Sequence, residues 1–139
     1  MSEPITCVDF SAIRPGRIEE LEKRVRELVA FVDANEAAPF AYNVYIDEEG
    51  ARMTVLQVHP SLESFELHME IAGPEFRKFQ DLVHLQQIDI YGEPGARLTA
   101  LLREKAELLG GAKLTIQTPA AGFYRFSMMS SVSDPAATR

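Results

Sequence analysis

Apolar side chains between residues 18 and 32 recur at steps of three and four, the spacing of one face of an α-helix. The stripe consists of Ile18, Leu21, Val25, Leu28 and Val32. Charged side chains occupy most of the opposite face, so the pattern predicts an amphipathic helix that lies on a core. Arg-Pro-Gly at 14–16 is expected to open this helix, and Ala-Ala-Pro at 37–39 to close it.

Four short segments rich in β-branched and aromatic residues predict strands. They are residues 5–10, 41–46, 52–59 and 83–91. The turn at 47–50 joins the second and third strands into a predicted β-hairpin. On the fourth strand, regular alternation is expected to place four residues on one side, namely His84, Gln86, Ile88 and Ile90.

Two further helices and a closing hairpin are predicted in the rest of the chain. Ser61 is expected to cap the second helix, and Gly73-Pro74 to break it, with a further turn or two before residue 83. The third helix is predicted from about residue 96 to 109, ended by Gly110-Gly111. A hairpin is predicted over 112–118 and 123–129, followed by a frayed tail at 130–139.

The first ninety residues follow the order β-α-β-β-α-β, which is typical of the ferredoxin-like α+β sandwich. The sequence predicts one domain, with a core at 5–92 and a helix and β-hairpin extension at 93–129. Strands 52–59 and 83–91 carry apolar side chains on both faces, but the two core helices cover only one. We expect a second copy of the chain to cover the other face, or else the extension to fold back over it.

Composition narrows the class of partner. The 139 residues carry a formal net charge of −7, which argues against nucleic acid and against an anionic membrane surface. Cys7 is the only cysteine, so no intramolecular disulfide and no thiolate metal cluster are expected. Neither a signal peptide nor an apolar run near the ~20 residues of a membrane span is evident, so the expected location is cytoplasmic.

The run VHPSLESFELH at 58–68, followed by PEF at 74–76, resembles the third strand and second helix of the antibiotic biosynthesis monooxygenase superfamily. In that family a Ser or Thr caps the helix and a His follows seven residues later, as Ser61 and His68 do here. The Pro15-Gly16 helix opening and the strand from Tyr42 to Tyr45 agree with the same family. The resemblance covers about residues 5–92 and implies a dimeric α/β barrel.

The resemblance implies a cofactor-independent monooxygenase that deprotonates a small aromatic or quinol substrate, whose carbanion then reacts with dioxygen. Gln57 and His59 depart from the family, which often has Glu and then Trp or Tyr at these places. The haem-degrading branch uses Asn, Trp and His where this chain has Asp9, His68 and Gln80, so haem degradation is not expected. The alternatives are a non-catalytic ligand-binding or structural homodimer, and an isomerase or lyase that works without oxygen.

His68 is the candidate catalytic base, because its position at the edge of the apolar helix face directs its ring between helix and sheet. The alternative is a structural histidine bonded to a backbone carbonyl. The candidate substrate-binding residues are Asp9, Asn43, Gln57, His59, Phe65, Phe76 and Tyr91. His59 and His84 are each expected at the surface or an edge, near opposite ends of the sheet, so no metal site is predicted.

Overall fold

Five strands and three helices form within residues 3–125, the part of the chain that the computed structural model describes. In chain order they are β1 (Ile5–Ile13), α1 (Ile18–Asn35), β2 (Ala41–Ile46), β3 (Arg52–His59), α2 (Leu62–Phe76), β4 (Val83–Tyr91), α3 (Gly95–Leu108) and β5 (Lys113–Gln117). The predicted β-α-β-β-α-β order is confirmed. Within this range no helix combines the length and hydropathy needed to cross a membrane.

The strands form one sheet in the order β2-β3-β1-β4-β5. The first four are antiparallel, as predicted, whereas β5 runs parallel to β4. A parallel pair needs a crossover connection, and α3 supplies it. The first strand of the predicted closing hairpin is confirmed as β5. Of the second strand, predicted at 123–129, residues 123–125 form no strand, and the rest lies, like the predicted tail at 130–139, outside the described range.

All three helices lie on one face of the sheet. Buried side chains of the strands, such as Cys7 and Ile90, form a single core with Leu21 of α1, Phe65 of α2 and Leu98 of α3. Since α3 packs on the same side as α1 and α2, it does not fold back over the opposite face. We call that opposite face the open face; its side chains include Val8, Phe10, Tyr45, Leu56, Val58 and Tyr91.

A β-bulge in the middle of β4 changes which alternate residues of this strand point toward the helices. Phe10 pairs with Gln87 and Ser11 with Leu85, which leaves Gln86 as an extra residue on β4. His84 and Gln86 are exposed as a result, while Ile88 and Ile90 are buried under the helices. The expectation that these four residues share one side is wrong, because simple alternation does not foresee a bulge.

Helix α2 continues through Gly73-Pro74 to Phe76, so the predicted break is wrong. Pro74 removes one backbone donor, but this residue is exposed, and water can replace the lost hydrogen bond. Ala72 and Phe76 are buried and hold the last turn against the core. The predicted N-cap is confirmed, since Ser61 Oγ accepts a hydrogen bond from the Ser64 backbone N–H at 3.1 Å.

Candidate active site

Buried polar side chains gather between the helices and the sheet. Most of them fall into two groups: a histidine cluster of Glu36, Gln57, His59, Ser64 and His68, and an ion pair of Asp9 and Lys105, with Ser11 buried beside the ion pair. Polar and charged side chains are costly to bury unless they find partners, so their concentration here marks the layer as a candidate site.

His68 is oriented by a carboxylate at the end of α1. Its Nδ1 lies 2.9 Å and 3.0 Å from the two carboxylate oxygens of Glu36, and the His68 ring is fully buried. The carboxylate can only accept, so Nδ1 donates its proton to it. In a neutral ring this arrangement leaves the lone pair on Nε2, and Nε2 is buried without a hydrogen-bond partner among residues 3–125. The geometry is that of a positioned base.

His59 has both ring nitrogens engaged. Nε2 donates to Gln57 Oε1 at 2.8 Å, and Nδ1 accepts from the Ser64 hydroxyl at 2.8 Å. The ring stacks on Phe65 with centroids 4.4 Å apart. Burial, reinforced by nearby His68, lowers the pKa of His59 to about 3. His59 is therefore a neutral member of the network that holds the site together.

We expected both His59 and His84 at the surface or an edge of the sheet, and this expectation is correct for only one of them. His59 is fully buried, contrary to the expectation, because Gln57 and Ser64 satisfy its ring. His84 is exposed, as expected. Their placement near opposite ends of the sheet is confirmed, since His59 pairs with Ile5 and His84 with Ala12 on β1.

The ion pair joins α3 to the central strand. Lys105 Nζ donates to Asp9 Oδ2 at 2.6 Å, and the Cys7 thiol donates to Asp9 Oδ1 at 3.3 Å. Burial favours the neutral amine, but the Asp9 carboxylate outweighs it, and the net pKa of Lys105 lies above its ordinary value. Burial, followed by the Asp9 charge, raises the pKa of Cys7. Lys105 is thus an ammonium and Cys7 a protonated thiol.

A small cavity of about 40 Å³ lies beside this ion pair. Its polar lining comes from Asp9, Ser11, Tyr42 and Lys105, and the rest is apolar. A groove of about 600 Å³ runs between α1 and β2, past Glu36. Val25, Tyr42 and Val44 line both spaces and separate them. The cavity has room for about one water molecule.

Tyr42 lies between the two polar groups. Its ring centroid is 5.1 Å from that of His68, and the ring lines the cavity that Asp9 also lines. Burial, then the charge of Asp9 and that of Glu36, raises the pKa of Tyr42. Its hydroxyl is therefore protonated and can act as a hydrogen-bond donor.

The structure brings six of the eight residues that we singled out into this layer: Asp9, Gln57, His59, Phe65, His68 and Phe76. The other two, Asn43 and Tyr91, are exposed on the open face, although Asn43 also lines the groove between α1 and β2. Sequence reasoning missed Glu36 and Lys105. Each could have been noticed as a charged residue that continues an apolar stripe, Glu36 after Leu28 and Val32, and Lys105 between other buried positions of α3.

Within residues 3–125, no group of three or more His, Cys, Asp or Glu side chains is arranged to hold a metal ion. The cavity is bordered by one ammonium, one phenol and apolar walls, and the oriented histidine lies next to it, in ring contact with Tyr42 and Phe76 but not in its lining. Such a set can accept a proton, donate hydrogen bonds and exclude water.

No protein-family model matches the sequence, and no curated protein matches it at a significant level. Solved structures do share its fold. MupZ from Pseudomonas fluorescens has a TM-score of 0.70 at 12% sequence identity, over 91% of this chain and 93% of MupZ. SnoaB, a cofactor-independent oxygenase from Streptomyces nogalater, has a TM-score of 0.56 at 13% identity, over 68% of this chain and 97% of SnoaB.

A proposed antibiotic biosynthesis monooxygenase from Bacteroides thetaiotaomicron also matches, with a TM-score of 0.51 at 18% identity, over 63% of this chain and 85% of that protein. The chain therefore has the ferredoxin-like α+β fold of antibiotic biosynthesis monooxygenase-type proteins, as the resemblance implied. The match to MupZ extends well beyond the core at 5–92, so it includes part of the C-terminal extension.

The low pKa of His59 predicts a specific loss of stability in acid. In the unfolded chain a histidine takes up its proton near pH 6.5, whereas folded His59 does so only at about pH 3, so stability falls as the pH drops between these values. From pH 7 to pH 4.5, wild type should lose about 2 kcal/mol more unfolding free energy than His59→Gln, at about 1.4 kcal/mol per pH unit. Urea unfolding at both pH values measures this difference, and equal losses in the two proteins would contradict it.

Proposed function

We propose that this protein is a cofactor-independent monooxygenase that oxidises a small aromatic or quinol substrate with dioxygen, using His68 as its base. The observation that carries the proposal is the buried, unpartnered Nε2 of His68, whose ring is held through Nδ1 by Glu36. The fold shared with SnoaB, itself a cofactor-independent oxygenase, supports the same class of reaction.

The proposed reaction needs few protein groups beyond the pair formed by His68 and Glu36. Nε2 of His68 takes a proton from the substrate, and the Glu36 carboxylate stabilises the imidazolium that results. The substrate carbanion gives an electron to dioxygen, and the two radicals combine to form a C–O bond. The resulting peroxide anion takes the proton back from His68 to give a hydroperoxide, which loses water and leaves a carbonyl group on the substrate. Burial of the site protects the intermediates from solvent.

We propose that the substrate enters through the groove between α1 and β2. The cavity of about 40 Å³ is far smaller than the ~300 Å³ or more of a typical ligand pocket. The side chains of Val25, Tyr42 and Val44 must therefore move to join groove and cavity. Phe76 then forms an apolar wall and Asp9 a polar anchor, while Phe65 and Gln57 lie behind them, around His59.

A second candidate is an isomerase or lyase that uses the same base without oxygen. The observation in its favour is Tyr42, whose protonated hydroxyl and ring next to His68 offer a proton donor opposite a proton acceptor. Proton transfer between two substrate atoms needs such a pair. Oxygen consumption separates this candidate from the monooxygenase.

We expect wild-type protein to oxidise a dihydroxynaphthoquinol or an anthrone with uptake of oxygen. His68→Ala should lower kcat by about 10²- to 10⁴-fold, the usual contribution of a general base. Glu36→Gln should also lower kcat, because a side-chain amide can donate to Nδ1 and move the ring proton to Nε2. Both effects are measured with an oxygen electrode and by following the quinone product.

His84→Ala is the matched control, since His84 is an exposed histidine on β4 and should leave kcat unchanged. Equal oxygen uptake by wild type and His68→Ala would exclude the monooxygenase. Turnover of a ketone or lactone without oxygen would favour the isomerase or lyase. Ligand binding without any turnover would favour a non-catalytic role.

We also propose that the protein is a homodimer that pairs through its open face. The helices leave this face uncovered, and it presents large side chains with substantial exposure: Phe10 at 38%, Tyr45 at 54% and Tyr91 at 38%. Val8, Leu56 and Val58 lie among them on neighbouring strands. An apolar face of this kind is stabilised when a second copy removes it from water.

Sedimentation should find wild type at twice the monomer mass of 15.5 kDa. Leu56→Arg, at the centre of the open face, should shift the protein to monomer because the added charge would be buried between the subunits. Leu67→Arg is the control, since Leu67 is a leucine on α2 that is 48% exposed. A wild-type species of 15.5 kDa at every concentration would refute this assembly.

The proposed site of action is the cytoplasm. The lone Cys7 is a buried free thiol, which suits a reducing compartment.

A further inference from the structure

Lys105 belongs to the C-terminal extension but reaches into the candidate active site. It lies on α3, beyond the residues that carry the family resemblance, and contacts Asp9 on the central strand. The residue is 8% exposed. It lines the cavity of about 40 Å³ together with Tyr42, and it also lines a groove of about 700 Å³ between α2 and α3.

The ammonium of Lys105 has hydrogen-bonding capacity to spare. Nζ carries three N–H donors. One of them donates to Asp9, and this is the single hydrogen bond that Nζ makes within residues 3–125. Nζ also lies 4.5 Å from the centroid of the Phe76 ring, a cation–π contact that requires no N–H acceptor. Two donors are thus left to serve a ligand in the cavity.

Stability alone gives a poor reason for this ion pair. Replacing a buried ion pair by apolar side chains of similar volume is often neutral or stabilising. Leu98, Leu102 and Leu109 surround position 105 in the core, so a leucine or methionine there would complete an ordinary apolar contact. A buried charged pair that borders a cavity is more typical of a functional site.

Lys105 and His68 flank the same aromatic ring. The centroid of Phe76 lies 6.0 Å from the centroid of His68 and 4.5 Å from Lys105 Nζ. Phe76 and Lys105 line the cavity, whereas the His68 ring lies behind Phe76 and Tyr42, so a planar substrate that displaces one of these rings would meet both the base and the ammonium. Asp9 fixes the lysine from behind and keeps it charged.

We infer that Lys105 binds the substrate oxygen that becomes anionic when His68 removes a proton, and so selects substrates with a phenolic or enolic oxygen across the ring from the reacting carbon. This inference rests on the proposed function. The proton moves to His68 Nε2, the electron pair is delocalised onto the substrate oxygen, and two N–H donors of Lys105 stabilise that oxyanion.

Binding of 4-nitrophenol tests this inference without turnover, because its phenolate absorbs in the visible. Wild type should bind the phenolate more tightly than the neutral phenol and lower the pKa of the bound probe by about 1 unit or more, as a nearby cation does. The double variant Asp9→Asn with Lys105→Met, which removes both charges together, should abolish this preference. His68→Ala should keep it, so failure of the proposed base and failure of the lysine site are distinguishable.

Two further variants test the charge at position 105 and provide a lysine control. Lys105→Gln keeps a hydrogen bond to Asp9 and should bind phenolate at least tenfold more weakly while binding the neutral phenol as wild type does. Lys113→Met removes an exposed lysine and should change neither affinity. The inference is overturned if wild type shows no preference for the phenolate, or if Lys105→Gln or the folded double variant retains the preference.

Discussion

The structure depends on one constraint: the helices cover a single face of the sheet, and every polar side chain turned toward them must be satisfied without water. The strands turn Asp9, Gln57 and His59 to this side. Lys105 forms an ion pair with Asp9, and the Gln57 and Ser64 side chains form hydrogen bonds with His59. Within residues 3–125, the buried side-chain atom left without a partner is Nε2 of His68. In a layer so completely paired, that one free nitrogen is where the chemistry is expected.

The extension changes the nature of the site as well as the size of the protein. Through α3 and β5 the sheet gains a parallel strand, and the core gains a lysine beside the cavity. The match with MupZ includes part of this extension, whereas the match with SnoaB covers 68% of this chain. The extension thus adds an ammonium to a layer in which the βαββαβ core already places Asp9, Gln57, His59 and His68.

Periodicity along the chain was sufficient to predict the core fold. The stripe on α1, the hairpin of β2 and β3, and the cap at Ser61 depend on neighbouring residues, and all three are confirmed. The errors come from features that local patterns do not encode. The bulge beside Gln86 changes register through pairing with another strand, and β5 pairs in parallel because α3 carries the chain across.

The candidate site was predictable only in part, for a similar reason. His68 could be identified from its place on an apolar helix face and from the family resemblance. Its partner Glu36 is 32 residues away, and Lys105 is 96 residues from Asp9, so no local motif links them. A charged residue in an otherwise apolar stripe was the available signal. It indicates that a side chain needs a buried partner, but the fold alone determines which partner that is.

The position of the proton on the His68 ring shows directly whether Nε2 is free to act as the base. Nitrogen-15 NMR of the histidine side chains, with His68→Gln to assign the resonances, locates the ring proton near neutral pH. We expect a proton on Nδ1, donated to Glu36, and an unprotonated Nε2. A proton on Nε2 in the ligand-free protein would contradict it, because that nitrogen could not then act as the base.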